Sequence, residues 1–141
     1  VSCGNDADLD LLDYMAFMLE SERTRVVLAV AERIPDSARL RALAQRAREL
    51  DKPILMVKAG RTEAGSRMAA SHTGSVTGAD GVCDAALRQM GILRVEDTSE
   101  LYETAMLLRR SRPLAGNRAA TTSISGGNLV MVADLGASAG I

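Results

Sequence analysis

The only histidine of the chain, His72, lies in AASHTGSVTG (Ala69 to Gly78), among small and hydroxyl-bearing residues. An imidazole that serves a core normally sits among larger apolar side chains. One set in a crevice of small residues is open to approach, and its neutral ring nitrogen is a nucleophile able to take up a phosphoryl group. A histidine that only caps or hydrogen-bonds a loop is the structural alternative. Two other places bear on the same chemistry. Glu32 follows the apolar run VVLAVA, where a carboxylate can accept a hydrogen bond from one ring nitrogen of His72 and leave the other free to attack. A solvated charge at the point where a buried strand surfaces, common at almost every strand end, is the plainer reading of Glu32 taken by itself. Ser125-Gly126-Gly127 stands before NLVMVADLG. A Gly-rich turn between strand and helix aims backbone N–H groups at an anion beside the positive end of the helix dipole, with phosphate the natural ligand. Many such turns need glycine for geometry alone.

These residues must be positioned by secondary structure, and the pattern alternates. Helical spacing over Asp8–Glu20 is carried by Leu9, Leu12, Met15, Phe17, Met18 and Leu19, with acidic residues in the first turn that suit the dipole. Val26–Ala31 predicts a strand buried on both faces, hence parallel. Past Ile34-Pro35-Asp36, the residues Leu40, Leu43, Ala44, Ala47 and Leu50 mark a second helix with arginines outside. PILMVKAG (Pro53 to Gly60) reads as the next strand, opened by a proline where no ladder donor is needed. GRTEAGSRMAASHTGSVTG, with four glycines, reads as a long loop at that strand's carboxyl end, where open α/β sheets bind their ligands. Asp80–Met90 is helical with Gly91 as its stop. Ile92–Val95 is a short strand, and Thr98 or Ser99 caps a further helix bearing Leu101, Ala105 and Leu108. The alternation predicts an α/β fold, a flavodoxin-like doubly wound parallel sheet. VSCGND looks like the tail of a strand entering a Gly-Asn turn, so the chain is expected to open in mid-domain. Residues 1–110 are taken as one domain, 111–117 as a linker, and 118–141 as the strand, turn and helix that begin a second, similar unit.

Composition narrows the function classes. The chain has 141 residues, 47% hydrophobic and 25% charged, with 17 Lys and Arg against 18 Asp and Glu. That balance suits a soluble globular domain and gives no basic patch of the kind phosphate-backbone binding needs. Aromatics are 2% with no Trp, which argues against stacking single-stranded nucleic acid and against flanking a flavin. Cys3 and Cys83 stand far apart without metal-ligand spacing, so thiols in a reducing compartment are expected rather than zinc. No apolar run approaches the roughly 20 residues of a membrane span, and no signal peptide is visible. A cytoplasmic protein is expected, with no nucleic-acid or membrane partner. Neither GxxxxGK[ST] nor GxGxxG occurs, so any nucleotide is bound elsewhere. Cys83 and the methionines read as core filler.

The stretches GNDADLDLLDYM, VVLAVAERIPD, KPILMVKAGRTEAGSRMAASHTGSVTG, GVCDAALRQMGILRVEDTSELYETAMLL and SISGGNLVMVADLG together resemble the NDP-forming acyl-CoA synthetases. They are more distantly similar to the α subunit of succinyl-CoA synthetase. The resemblance runs along the whole chain in order, and the KAGR, ASHTG and following G-A-D combination is its specific part. It implies a ligase that interconverts acid, CoA and NTP with acyl-CoA, NDP and phosphate. The phosphoryl group passes from an acyl phosphate to His72, steadied by Glu32, and then to nucleotide. Ser71, Thr73 and Gly74 would bind phosphate beside it, and Ser125, Gly126 and Gly127 from the later unit.

The family's CoA-binding and ATP-grasp parts have no counterpart in this sequence, nor does the first strand and Gly-containing turn of the histidine domain. By the same resemblance, coenzyme A and ATP or ADP are substrates of the whole enzyme. Mg2+ accompanies the nucleotide in another domain, and this stretch holds no tightly bound cofactor of its own. A small carboxylic acid is the remaining substrate, and an oligomer of several chains or fused modules is implied. The stretch is expected not to run the reaction alone. Two alternatives are a regulatory domain, of the kind fused to protein acetyltransferases, that has lost catalysis, and a flavodoxin-like FMN module. Retention of His72 and Glu32 speaks against the first, scarcity of aromatics against the second.

Overall fold

A computed structural model describes residues 1–3, 8–73, 79–110 and 116–140, with His72 and Thr73 described as backbone only. Two compact units are present, Val1–Ser111 and Arg112–Ile141. The first is built around three parallel strands in the order β1-β2-β3. These are β1 (Val27–Ala31), β2 (Ile54–Lys58) and β3 (Leu93–Val95). Val27 pairs with Ile54 and Ala31 with Lys58, while Leu55 pairs with Leu93 and Val57 with Val95. Every residue of β2 is buried, as expected for a central parallel strand covered on both faces.

Helices α1 (Leu11–Glu20), α2 (Ser37–Glu49) and α4 (Asp80–Met90) cover one face of the sheet. The larger core lies there, with Leu12, Met15, Leu19, Leu40, Met56 and Leu87 at its centre. Helix α5 (Thr98–Arg110) covers the other face, where Leu101 packs with Leu55, Val57 and Val95. The sheet is thus wound on both sides, the flavodoxin-like α/β arrangement expected. Asp10 rather than Asp8 starts the first helix: its carboxylate accepts from the N–H groups of Leu12 and Asp13 while the Asp13 carboxylate accepts from the Asp10 N–H, a reciprocal capping box. Gly91 closes α4 at φ 72°, a left-handed C′ position that favours glycine.

Six expectations need correction. Val1–Cys3 form no strand, and the Gly4-Asn5 turn lies outside the described residues. Strand β1 is only partly covered on its second face: Val27, Ala29 and Ala31 are buried, but Leu28 is half-buried against the smaller core and Val30 is 55% exposed, because α1 and α2 pack on the opposite side. The long stretch after β2 contains a helix, α3 (Glu63–Thr73); its apolar residues are mostly alanine and glycines interrupt the stretch, a composition that reads as a loop. Helix α5 is capped by Asp97, whose carboxylate accepts from the Glu100 N–H at 2.9 Å, because Asp97 stands one residue before the helix begins. Methionine is not uniformly core: Met68, Met106 and Met131 are exposed, because no other described element covers them. In the second unit, Ala119–Ile124 form no strand among the described residues, and helix α6 (Gly126–Ala139) begins at the first glycine.

Candidate functional site

The carboxyl ends of the strands gather the charged residues. Ala31 leads into Glu32, which is half-buried. Lys58 ends β2 opposite Ala31 on the same face as Met56, and is only 7% exposed. Its ammonium donates to the Ala59 carbonyl at 2.6 Å. Burial pushes the Lys58 pKa down, with the charge of Arg94 adding to the effect, while the carboxylates of Asp80 and Glu32 act against it. Ala59 continues the ladder by donating to the Ala31 carbonyl at 2.9 Å. Gly60 then turns the chain at φ 74°, a conformation costly for any side chain.

Helix α3 springs from this turn. The Thr62 hydroxyl accepts from the Gly65 N–H at 3.1 Å and the Thr62 carbonyl from the Ser66 N–H at 2.7 Å, capping the helix. A Cβ on Gly65 would stand 3.4 Å from Gly60 Cα, so the first turn of α3 lies close against the strand exit. Along α3, Arg67 pairs with Glu63 at 2.6 Å and the Ser71 hydroxyl donates to the Met68 carbonyl at 2.8 Å. His72 and Thr73 occupy the last turn of the helix. The side chains of His72 and Thr73, and Gly74 as a whole, lie outside the described residues, so the expected contact of His72 with Glu32 does too.

Across the rim runs a ladder of ion pairs that sequence reasoning missed. Asp80, the first residue of α4, holds Arg94 through one carboxylate oxygen, and its other oxygen stands 3.6 Å from Arg61 Nε. Arg61 also binds Glu96, and Arg94 reaches Asp84 at 3.4 Å. The Arg94 hydrogen bond holds the Asp80 carboxyl below its ordinary pKa, the partial burial of the group opposing this. The same bond raises Arg94. The Arg94 side chain is 8% exposed, and its Nε has no hydrogen-bond partner among the described residues. A signal was available: an arginine inside the short apolar strand ILRV must be paired if buried.

The second unit places Ser125 as the N-cap of α6, its hydroxyl accepting from the Asn128 N–H at 3.4 Å. Gly126 and Gly127 are the first two helical residues. Their N–H groups therefore belong to the first turn, where amides lack intrahelical acceptors and favour an anion. Among the described residues no group of three or more His, Cys, Asp or Glu side chains is placed to hold a metal ion. No helix among them is long and apolar enough to cross a membrane.

A three-stranded parallel sheet with helices on both faces and its charged residues at the carboxyl rim defines a flavodoxin-like α/β domain. Residues 1–108 match the family described as "Succinyl-CoA ligase like flavodoxin domain", and the chain belongs to that family. It is 38% identical over 134 residues to acetate–CoA ligase (ADP-forming) I subunit alpha of Pyrococcus furiosus, covering 95% of this chain and 29% of that protein. It is 32% identical over 137 residues to 4-hydroxybutyrate–CoA ligase (ADP-forming) of Nitrosopumilus maritimus, covering 96% of this chain and 18% of that one. Among solved structures, the dinucleotide forming acetyl-coenzyme A synthetase 1 of Ca. Korarchaeum cryptofilum, in complex with phosphate and ADP, superposes with a TM-score of 0.89. It is 36% identical, and the match covers 100% of this chain and 31% of that one. The chain therefore spans less than a third of the length of each of these relatives. The resemblance to NDP-forming acyl-CoA synthetases read from the motifs is borne out.

Proposed function

We propose that this chain supplies the phosphohistidine-bearing part of an NDP-forming acyl-CoA synthetase, with His72 as the phosphoryl carrier. The observation that carries the reading is the family membership joined to the rim. Helix α3, with His72 in its last turn, leaves the same sheet edge at which Glu32 and the buried Lys58 stand. In the reaction, an imidazole nitrogen attacks the phosphorus of an acyl phosphate. The bond from phosphorus to the acyl oxygen breaks, and the carboxylate leaves with the electron pair. Glu32 accepts a hydrogen bond from the other ring nitrogen and steadies the ring. A terminal oxygen of NDP then attacks the same phosphorus, the P–N bond breaks, and the ring nitrogen regains its lone pair. Ser71, Thr73 and Gly74 around the histidine, and Ser125, Gly126 and Gly127 at the start of α6, are the anion-binding groups.

In this reading residues 1–110 are the histidine domain, 111–117 a linker, and 118–141 the start of a second unit. CoA, the nucleotide and a small carboxylic acid are substrates of the whole enzyme, a cytoplasmic oligomer with CoA-binding and ATP-grasp parts. The described rim residues do not suit Mg2+, because Asp80, Asp84 and Glu96 are each engaged by arginine. The ion belongs with the nucleotide-binding part. Labelling tests the reading. Full-length protein incubated with γ-labelled NTP is expected to acquire an acid-labile, base-stable label that His72→Ala abolishes. Wild-type protein that takes up no such label would instead favour a regulatory domain without catalysis.

A further inference from the structure

Helix α3 carries the proposed phosphoryl acceptor, yet among its described side chains only Ala69 is buried. Packing of an apolar face therefore does little to fix where the helix points. Its base is fixed instead. At the entry, Arg61 lies one residue before the capping Thr62, and Gly65 lies close against Gly60. Arg61 reaches Asp80 at the start of α4, where Ala79 provides no side-chain cap. The second oxygen of Asp80 is held by Arg94, a side chain 8% exposed and anchored in β3. One carboxylate thus ties the entry of α3, the first turn of α4 and the sheet together.

We propose that Asp80 is a positioning residue for the phosphoryl-transfer site: its carboxylate clasps Arg61 to Arg94 and so sets the placement of α3 and of His72 on it. The Arg61 arm is 35% exposed, and such partly solvated pairs add little to stability. Its contribution is placement, which transfer chemistry feels strongly, since a displacement of about 1 Å can cost about 10²-fold in rate. This inference rests on the reading of His72 as phosphoryl acceptor.

The test uses full-length protein with Asp80→Asn, Asp80→Glu and Arg61→Gln. Two readouts are followed at a temperature where circular dichroism shows all three folded: the rate of acid-labile labelling, and the rate of tryptic cleavage after the exposed Arg67 of α3. Asp80→Asn and Arg61→Gln are expected to label about 10²-fold more slowly and to be cut faster after Arg67. Asp80→Glu is expected to restore most of both. Arg61→Gln keeps the buried Arg94–Asp80 pair, so it reports on placement if Asp80→Asn folds poorly. Labelling at the wild-type rate in Arg61→Gln, or unchanged cleavage after Arg67, would overturn the clasp. If wild-type protein takes up no label, the histidine reading fails, while the cleavage arm still decides whether the clasp exists.

Discussion

Glu32 and Lys58 stand at adjacent strand ends because Ala31 and Lys58 are register partners. Taking an ammonium out of water is costly unless it is paired and hydrogen-bonded. Lys58 is compensated by the Ala59 carbonyl and by the nearby carboxylates of Glu32 and Asp80. The proposed role of Glu32 depends on charge as well as shape, so Glu32→Gln separates the two. That variant keeps side-chain volume and an acceptor oxygen but loses the carboxylate's hold on an imidazole N–H. It is expected to slow formation of labelled His72 by about 10²-fold with the unfolding midpoint little changed, measured by initial rates of label uptake. A wild-type rate in Glu32→Gln would remove Glu32 from the mechanism.

The elements differ in what holds them. Helix α1 is capped by the Asp10–Asp13 box and bridged to α2 by Arg39, which binds Asp10 at 2.7 Å and Asp13 at 2.6 Å. Arg48 donates to the Met90 carbonyl at the end of α4, and Lys52 to the Leu19 and Ser21 carbonyls at the end of α1, satisfying acceptors a helix terminus leaves open. Asp10→Ala is expected to cost about 1–2 kcal/mol, the usual loss for a helix cap. Leu55, fully buried in the central strand, is expected to cost about 2–5 kcal/mol when cut to alanine. Both are measured by denaturant unfolding, and a Leu55→Ala loss below that of Asp10→Ala would contradict the assignment of β2 as the core strand. Among the described side chains of α3 only Ala69 is buried, and polar contacts at its base contribute to its placement.

At the scale of the molecule, acid should weaken the fold through its paired carboxylates. Asp80 is held low by the Arg94 hydrogen bond. Burial tends to raise Asp10, but the Asp13 amide and Arg39 outweigh it and the net shift is downward. In the unfolded chain such groups titrate near about 4, so their contribution is complete above that pH and lost as pH falls through the lower folded values. The urea midpoint is expected to be flat from about pH 7 to pH 5 and to drop towards pH 3; a midpoint unchanged at pH 3 would contradict this. The proposed function also predicts that this stretch of 141 residues makes no acyl-CoA alone when assayed with acid, CoA and NTP. Synthesis by it unaided would contradict the division of labour among domains.

The sequence by itself determined the parallel α/β class, the three strands, and helices α1, α2, α4 and α5 to within a few residues, because buried apolar periodicity and turn residues are local signals. It also determined the family, through His72 and the motifs around it. Tertiary structure alone decided that α3 is a helix, since Ala, Ser and Gly carry little periodic signal. The exposure of Val30 and the Arg61–Asp80–Arg94 ladder were likewise settled by structure. Which face of a strand finds a covering helix, and which distant charges meet at a sheet edge, depend on crossover connections rather than on neighbours in the chain.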